Sequence, residues 1–179
     1  MNAGTRTRTR LPQRGATAVE MALFFAIAGS LVAVAIPTFA RELHASRFVE
    51  PVDGLGRLST AAIAYAQERP TREAFPVTAP LTPSVPPRGV RTADPEGVWD
   101  TPTWRALKFR AVPEGVPHLF AFGFDSSLGA ARSAFVAHAH GDLDGDGVRS
   151  TFETRGHVTS GDPAGATLDP GMYVEAEVE

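Results

Sequence analysis

Cysteine is absent from all 179 residues. A domain outside the cytoplasm would therefore hold together without disulfides, and no cysteine-ligated metal centre is possible. Basic residues are thin once the first fifteen positions are set aside. Those fifteen carry four arginines and no acid, and the rest holds thirteen basic against twenty acidic residues, a balance of −7. Such a chain has no electrostatic footprint for nucleic acid. Internal repeats are missing, as are a G-x-S-x-G elbow, a P-loop and any other recognisable set of catalytic groups. At 43% hydrophobic and 21% charged, the length suits one modest domain with an appendage.

The longest absence is of charge itself: none occurs from Met21 to Ala40. Twenty helical residues at about 1.5 Å each span roughly 30 Å, the hydrocarbon thickness of a bilayer. Arg6, Arg8, Arg10 and Arg14 precede the run, and the positive-inside rule keeps that end cytoplasmic and sends the rest across, N-in and C-out. A conventional secretory signal with a small-residue site at Ala33-Val34-Ala35 has the same outline. Glu20 sets the segment apart. A carboxylate costs about 2.5–3.5 kcal/mol at the centre of a membrane helix and less near the interface, so it calls for a partner or a function.

Arg14-Gly15, Ala16-Thr17-Ala18-Val19-Glu20, Gly29 and Ile36-Pro37 together resemble the prepilin signature of type IV pilins and type II secretion pseudopilins. The resemblance implies that a prepilin peptidase cuts after Gly15 and that Ala16, where most of the family has Phe, becomes the new and methylatable N-terminus. It also implies that Glu20 pairs with the ammonium of a neighbouring subunit, with Gly29 and Pro37 belonging to the assembly helix. Losing one member of a buried ion pair costs about 3–5 kcal/mol, so such a pair sets register. The run Gly15 to Glu20 is similar as well to the start of tight-adherence pseudopilins. The plain alternative places Glu20 at the headgroup boundary of a simple anchor.

Five segments follow from the pattern: a leader at 1–15, a membrane and assembly half-helix at 16–40, an amphipathic half-helix at 41–68, a connecting loop at 69–98, and a β-sheet head at 99–179. Arg41, Glu42, His44, Arg47 and Glu50 mark emergence into water. Leu55, Leu58, Ala62, Tyr65 and Ala66 recur at helical spacing, while Pro51, Gly54 and Gly56 predict a kink or brief break. Seven prolines between residues 70 and 95 deny regular helix and central-strand pairing. Thr101-Pro102 opens a short helix with Trp104 and Leu107 on one side. Alternation at Phe120/Phe122/Phe124, Phe135/Ala137/Ala139 and Met172/Val174/Ala176/Val178, with Phe152 and its neighbours, predicts about four antiparallel strands. The fold class is α+β, and the resemblance implies a pilin-like arrangement with the long helix packed on the sheet.

Asp142-x-Asp144-x-Asp146-Gly147, followed by Val148, Ser150 and Glu153, matches the calcium-loop pattern. Calcium takes six to eight hard oxygens at about 2.3–2.6 Å, which alternate carboxylates on a tight turn supply. Asp142, Asp144 and Asp146 would give carboxylates, Val148 a carbonyl, Ser150 a hydroxyl or bridging water, and Glu153 the last ligand. The strand-like run from Ser150 to Val158 makes this a calcium hairpin rather than an EF-hand, and an ion would fill the stabilising role of a missing disulfide. The alternative is a turn built from Asp and Gly. His138 and His140 share the face opposite Phe135, directed toward Asp142; they suit zinc, or simply two solvent-facing strand histidines.

The functional expectation is a structural subunit, not an enzyme. Its partners are like subunits, a prepilin peptidase, the inner-membrane assembly machinery and the membrane, and it ends in a periplasmic or surface filament. The alternatives are a tight-adherence pseudopilin, or a secreted or anchored calcium-binding module.

Overall fold

The computed structural model describes residues 17–176, with side chains throughout except at 40–47. The chain divides into two compact units, residues 1–43 and 44–179. Helix α1 runs from Ala18 to Gln67. Within it Ala18–Phe39 is long and apolar enough to span a membrane, and none of that stretch is buried. The two side-chain hydroxyls inside the stretch are satisfied locally: Ser30 Oγ donates to the Ala26 carbonyl at 2.8 Å and Thr38 Oγ1 to that of Val34 at 2.9 Å. That is how a helix carries hydroxyls where no water is present.

The expected break near Pro51 is not found, because α1 continues through Pro51, Gly54 and Gly56. Packing explains this. Pro51, Gly54, Leu55, Leu58, Ser59, Ala62 and Ala66 are all buried, and a Cβ on Gly54 would fall 2.4 Å from Phe122 Cζ. Gly54 therefore lets an aromatic ring reach the helix backbone. The tertiary contacts outweigh a helix penalty of about 1 kcal/mol for glycine.

The sheet has six strands rather than about four, all antiparallel: β1 (Ala79–Thr82), β2 (Phe120–Ser127), β3 (Arg132–Gly141), β4 (Ser150–Thr159), β5 (Thr167–Leu168) and β6 (Tyr173–Glu175). The order is β1-β2-β3-β4-β5, with β6 also on β4. The extra strands are short. β1 lies in the proline-rich segment, after a single 3-10 turn at Thr71–Glu73, and carries Pro80 as an edge strand can. The C-terminal segment read as a strand from Met172 forms β6 at Tyr173–Glu175, while β5 at Thr167–Leu168 lies ahead of it and was not expected. Val174 pairs with Phe152 yet stays 40% exposed, so that alternation marks a sheet margin rather than a covered face.

Phe120, Phe122, Phe124, Phe135, Ala137, Ala139 and Phe152 point from the sheet into one core with Leu55, Leu58 and Ala62 of α1. Each fully buried Phe contributes about 1.5–3 kcal/mol. The Phe124 and Phe135 rings stack across β2 and β3 at 5.3 Å, and Phe120 meets Phe152 edge-on at 5.7 Å. The predicted short helix forms as α2 (Pro102–Ala106), capped by Thr101. It buries Trp104, whose Nε1 donates to Thr82 Oγ1 at 2.9 Å, against Trp99 and Phe109. Thr103 Oγ1 donates to the Val77 carbonyl at 2.7 Å, so α2 holds the proline-rich segment against the head.

Candidate functional site

Two sites were expected, and the structure treats them differently. At the N-terminal site, Arg14, Gly15 and Ala16 lie outside the described residues. Glu20 lies in the first turn of α1. The Thr17 amide donates to its Oε2 at 2.7 Å, and the Thr17 hydroxyl accepts from the Glu20 amide at 3.3 Å. This is a capping box, which satisfies donors that a helix start leaves unpaired. Thr17-x-x-Glu20 was legible as such and was missed, so in the single chain the acid has a local partner. A Cβ on Gly29 would meet nothing within 4 Å, and Pro37 lies within the helix.

In the acidic loop, ligand-capable oxygens of Asp142, Asp144 and Asp146 lie within 4.8 Å of one another. Three successive side chains brace the turn: Asp142 Oδ1 accepts from Gly145 N at 2.8 Å, Asp144 Oδ1 from Asp146 N at 3.1 Å and Asp146 Oδ1 from Val148 N at 2.7 Å. Gly145 and Gly147 supply the positive φ angles, +86° and +98°, that the turn requires. The loop is also clamped from outside. Gly89 N donates to the Asp142 carbonyl at 2.7 Å, and Arg88 Nε stands 3.9 Å from Asp142 Oδ2.

The distal half of the expected ligand set is not gathered. Ser150 is buried as the first residue of β4, paired with Gly141. Glu153 lies three residues into the same strand, opposite His138, and its carboxylate accepts from Arg155 at 2.9 Å. A strand advances about 3.3 Å per residue and carries Glu153 away, where a helix would have turned it back. Three carboxylates remain, with Val148 at the end of the turn. Three hard carboxylate oxygens held this close together could hold a metal cation.

His138 and His140 do share a face of β3, opposite buried Phe135 and Ala137. They do not turn toward Asp142. His138 Nδ1 lies 3.6 Å from Asp125 Oδ2, and His140 Nδ1 lies 2.9 Å from Thr151 Oγ1. Burial holds both imidazoles below their usual range; nearby Asp125 and Glu153 partly offset this for His138.

Glu50, read as surface, is the polar hub of the head. Its Oε1 accepts from Leu119 N and Phe120 N at 2.8 and 2.9 Å, and its Oε2 from Arg91 at 3.1 Å. Beside it His118 is fully buried, with Nδ1 2.8 Å from the Phe120 carbonyl and Nε2 2.9 Å from Asp94 Oδ2, off the line of a good hydrogen bond. Asp94 also accepts from Trp99 Nε1 at 2.6 Å. These groups tie α1, the 88–99 segment and β2 together. Their partners lie up to seventy residues apart, so no local signal could have found them.

No family model, curated protein or solved structure matches the chain. The chain is an α+β protein with one N-terminal helix able to span a bilayer by length and composition, and further assignment rests on its own residues. Along the helical side of the head, a groove runs beside α1 and α2 between Arg57, Thr60, Tyr65 and Leu107. Two of its three cations are engaged locally, Arg57 by Asp53 at 3.0 Å and Arg69 over the Tyr65 ring; Lys108 is the third.

Proposed function

We propose that the chain is a prepilin-like structural subunit. A prepilin peptidase removes residues 1–15, Ala16 becomes the N-terminus, and the Ala18–Phe39 helix holds the head at the inner membrane, N-in and C-out. Subunits then associate through that helix into a pilus or secretion pseudopilus. The observation that carries this reading is a single carboxylate, Glu20, at the head of an otherwise uncharged 22-residue stretch of α1, none of which is buried.

Thr17 satisfies that carboxylate in the single chain. Cleavage after Gly15 would place an ammonium one residue before Thr17, and a neighbour's ammonium is a stronger partner than an amide. Moving Glu20 from its capping box to that ammonium would pair two charges in a low-dielectric stack. Ala22, Ala26, Gly29, Ala33 and Ala35 allow close helix approach. Calcium held by Asp142, Asp144 and Asp146 would brace the head where no disulfide does.

The intact mass of the protein from bacterial membranes tests the reading. Loss of residues 1–15, with or without one methyl group, supports it. An unprocessed chain, or one cut near Ala35 and released as a secreted calcium-binding module, overturns it. Processing followed by assembly only with tight-adherence machinery would move the subunit to that sister class.

A further inference from the structure

Lys108 is the one lysine in a chain with sixteen arginines, and the backbone holds it where glycine is the usual residue. At the end of α2, Lys108 N donates to the Arg105 carbonyl at 3.1 Å and Phe109 N to that of Trp104 at 3.0 Å, with Lys108 left-handed at φ +49°. A side chain there strains the backbone. Arg105 already supplies the cation that a helix C-terminus favours, so the turn itself does not call for a lysine. The Lys108 ammonium makes no hydrogen bond or ion pair among the described residues. It stands on the groove of about 970 Å³ beside α1 and α2, to which Gly56, Ala61, Ala64 and Leu107 give a small, apolar lining. Three cations, Arg57, Arg69 and Lys108, line that groove against two acids, Asp53 and Glu68, an excess of one positive charge.

We propose that this groove receives the acidic segment Glu175 to Glu179 of a second copy of the chain, with Lys108 paired to the carboxylate of Glu177 or Glu179. β6 stops at Glu175, and Ala176 at φ +52° turns the backbone off the strand. Lys108 and Ala176 are the two non-glycine residues with positive φ among those described, one on each side of the proposed contact. Residues 177–179 lie outside the described residues; their sequence is Glu-Val-Glu. In an extended segment the two acids share one side and Val178 takes the other. The acids then meet the cations while Val178 lies against the apolar lining.

The donor is a second copy because the chain's own acids do not reach. α2 is fastened on the β1 side of the sheet, through Trp104 to Thr82 and Thr103 to Val77, whereas β6 pairs with β4. Four strand steps separate β1 from β6, which at about 4.8 Å each is about 19 Å. Residues 177–179 extend by at most about 11 Å. A contact of tail to groove uses a different surface on each copy, so it is heterologous and continues from subunit to subunit, as a fibre requires. It adds a contact between heads to the assembly reading and does not need the cleavage after Gly15.

The test is carbodiimide coupling of the full chain in detergent, which joins a carboxylate only to an amine that touches it; Lys108 is the single lysine. An equal mixture of ¹⁵N-labelled and unlabelled chains should give, after trypsin, residues 106–110 joined to residues 156–179 in mixed-isotope form, with the joined acid located by fragmentation within 175–179. Gly56→Leu keeps both reactants and fills the groove, where a Cβ at 56 meets nothing within 4 Å. It should abolish the adduct without lowering the thermal midpoint. The wild-type isotope pattern is decisive even if that variant fails to fold. No adduct at Lys108, an adduct within one chain, coupling to acids outside 175–179, or an adduct that survives Gly56→Leu overturns the proposal. The prepilin reading stands or falls separately, by mass.

Discussion

The Phe122 ring lies on the backbone of Gly54, so close that a methyl group at 54 would sit 2.4 Å from Cζ and 2.5 Å from Cε1. The ring is fully buried, next to Phe109 at 5.7 Å, and has no room to retreat. Gly54→Ala raises helix propensity by about 1 kcal/mol, yet overpacking typically costs about 1–3 kcal/mol. The head should therefore lose stability. A rise in thermal midpoint would show that α1 can slide away from β2.

Glu50 gives a second test. Glu50→Ala leaves the Leu119 and Phe120 amides without their acceptor, and an unsatisfied buried amide costs about 1–3 kcal/mol. Glu50→Gln keeps an acceptor oxygen and weakens only the Arg91 contact, so it should cost less. Urea midpoints of the two variants should fall in that order; equal midpoints would count against the hub.

The outer-face histidines set a pH dependence. Their imidazoles titrate lower in the folded chain than in the unfolded one, where histidine has a pKa near 6.5. Below pH ~6.5 the unfolded chain takes up protons that the folded chain refuses, so the stability is full above that value and falls as pH drops toward the folded pKa. In chelator, urea unfolding between pH 7.5 and about 5.5 should show this decline. His138→Gln/His140→Gln should flatten it.

Calcium should stabilise the head through the acidic loop. At a hundredfold excess over its dissociation constant, a ligand specific to the folded state adds about 2.7 kcal/mol. A thermal melt with calcium should therefore exceed one in chelator, and Asp144→Ala/Asp146→Ala should abolish the difference. No shift in the wild-type chain would remove calcium from the loop.

At the N-terminus, Glu20→Gln keeps an oxygen for the Thr17 amide but carries no charge for a neighbour's ammonium. Processing after Gly15 should continue while sheared fibres lose the subunit. Fibres of normal yield would break the link between that acid and assembly.

The features that could be read in advance are those set by near neighbours. The charge-free run became α1, Thr101-Pro102 opened α2, and alternation at Phe120, Phe135 and Phe152 marked faces that are buried. Asp142, Asp144 and Asp146 were legible because one turn brings them together. Glu153 was misplaced for the opposite reason: the spacing assumed a loop that curls back, whereas strand pairing with β3 extends it. Proline near residue 80 argued for a loop, yet an edge strand needs donors on one side only and tolerates it.

Composition and periodicity alone determined a helix long and apolar enough to span a bilayer, an α+β class, the inward sheet positions and an acidic turn, because each depends on residues a few places apart. Tertiary structure decided that Gly54 sustains a helix rather than breaking it, that Glu50 anchors β2, and that Glu153 joins His138 rather than Asp146. Those outcomes depend on which distant backbone arrives alongside, and the sheet register that brings it there is a property of the whole packed chain.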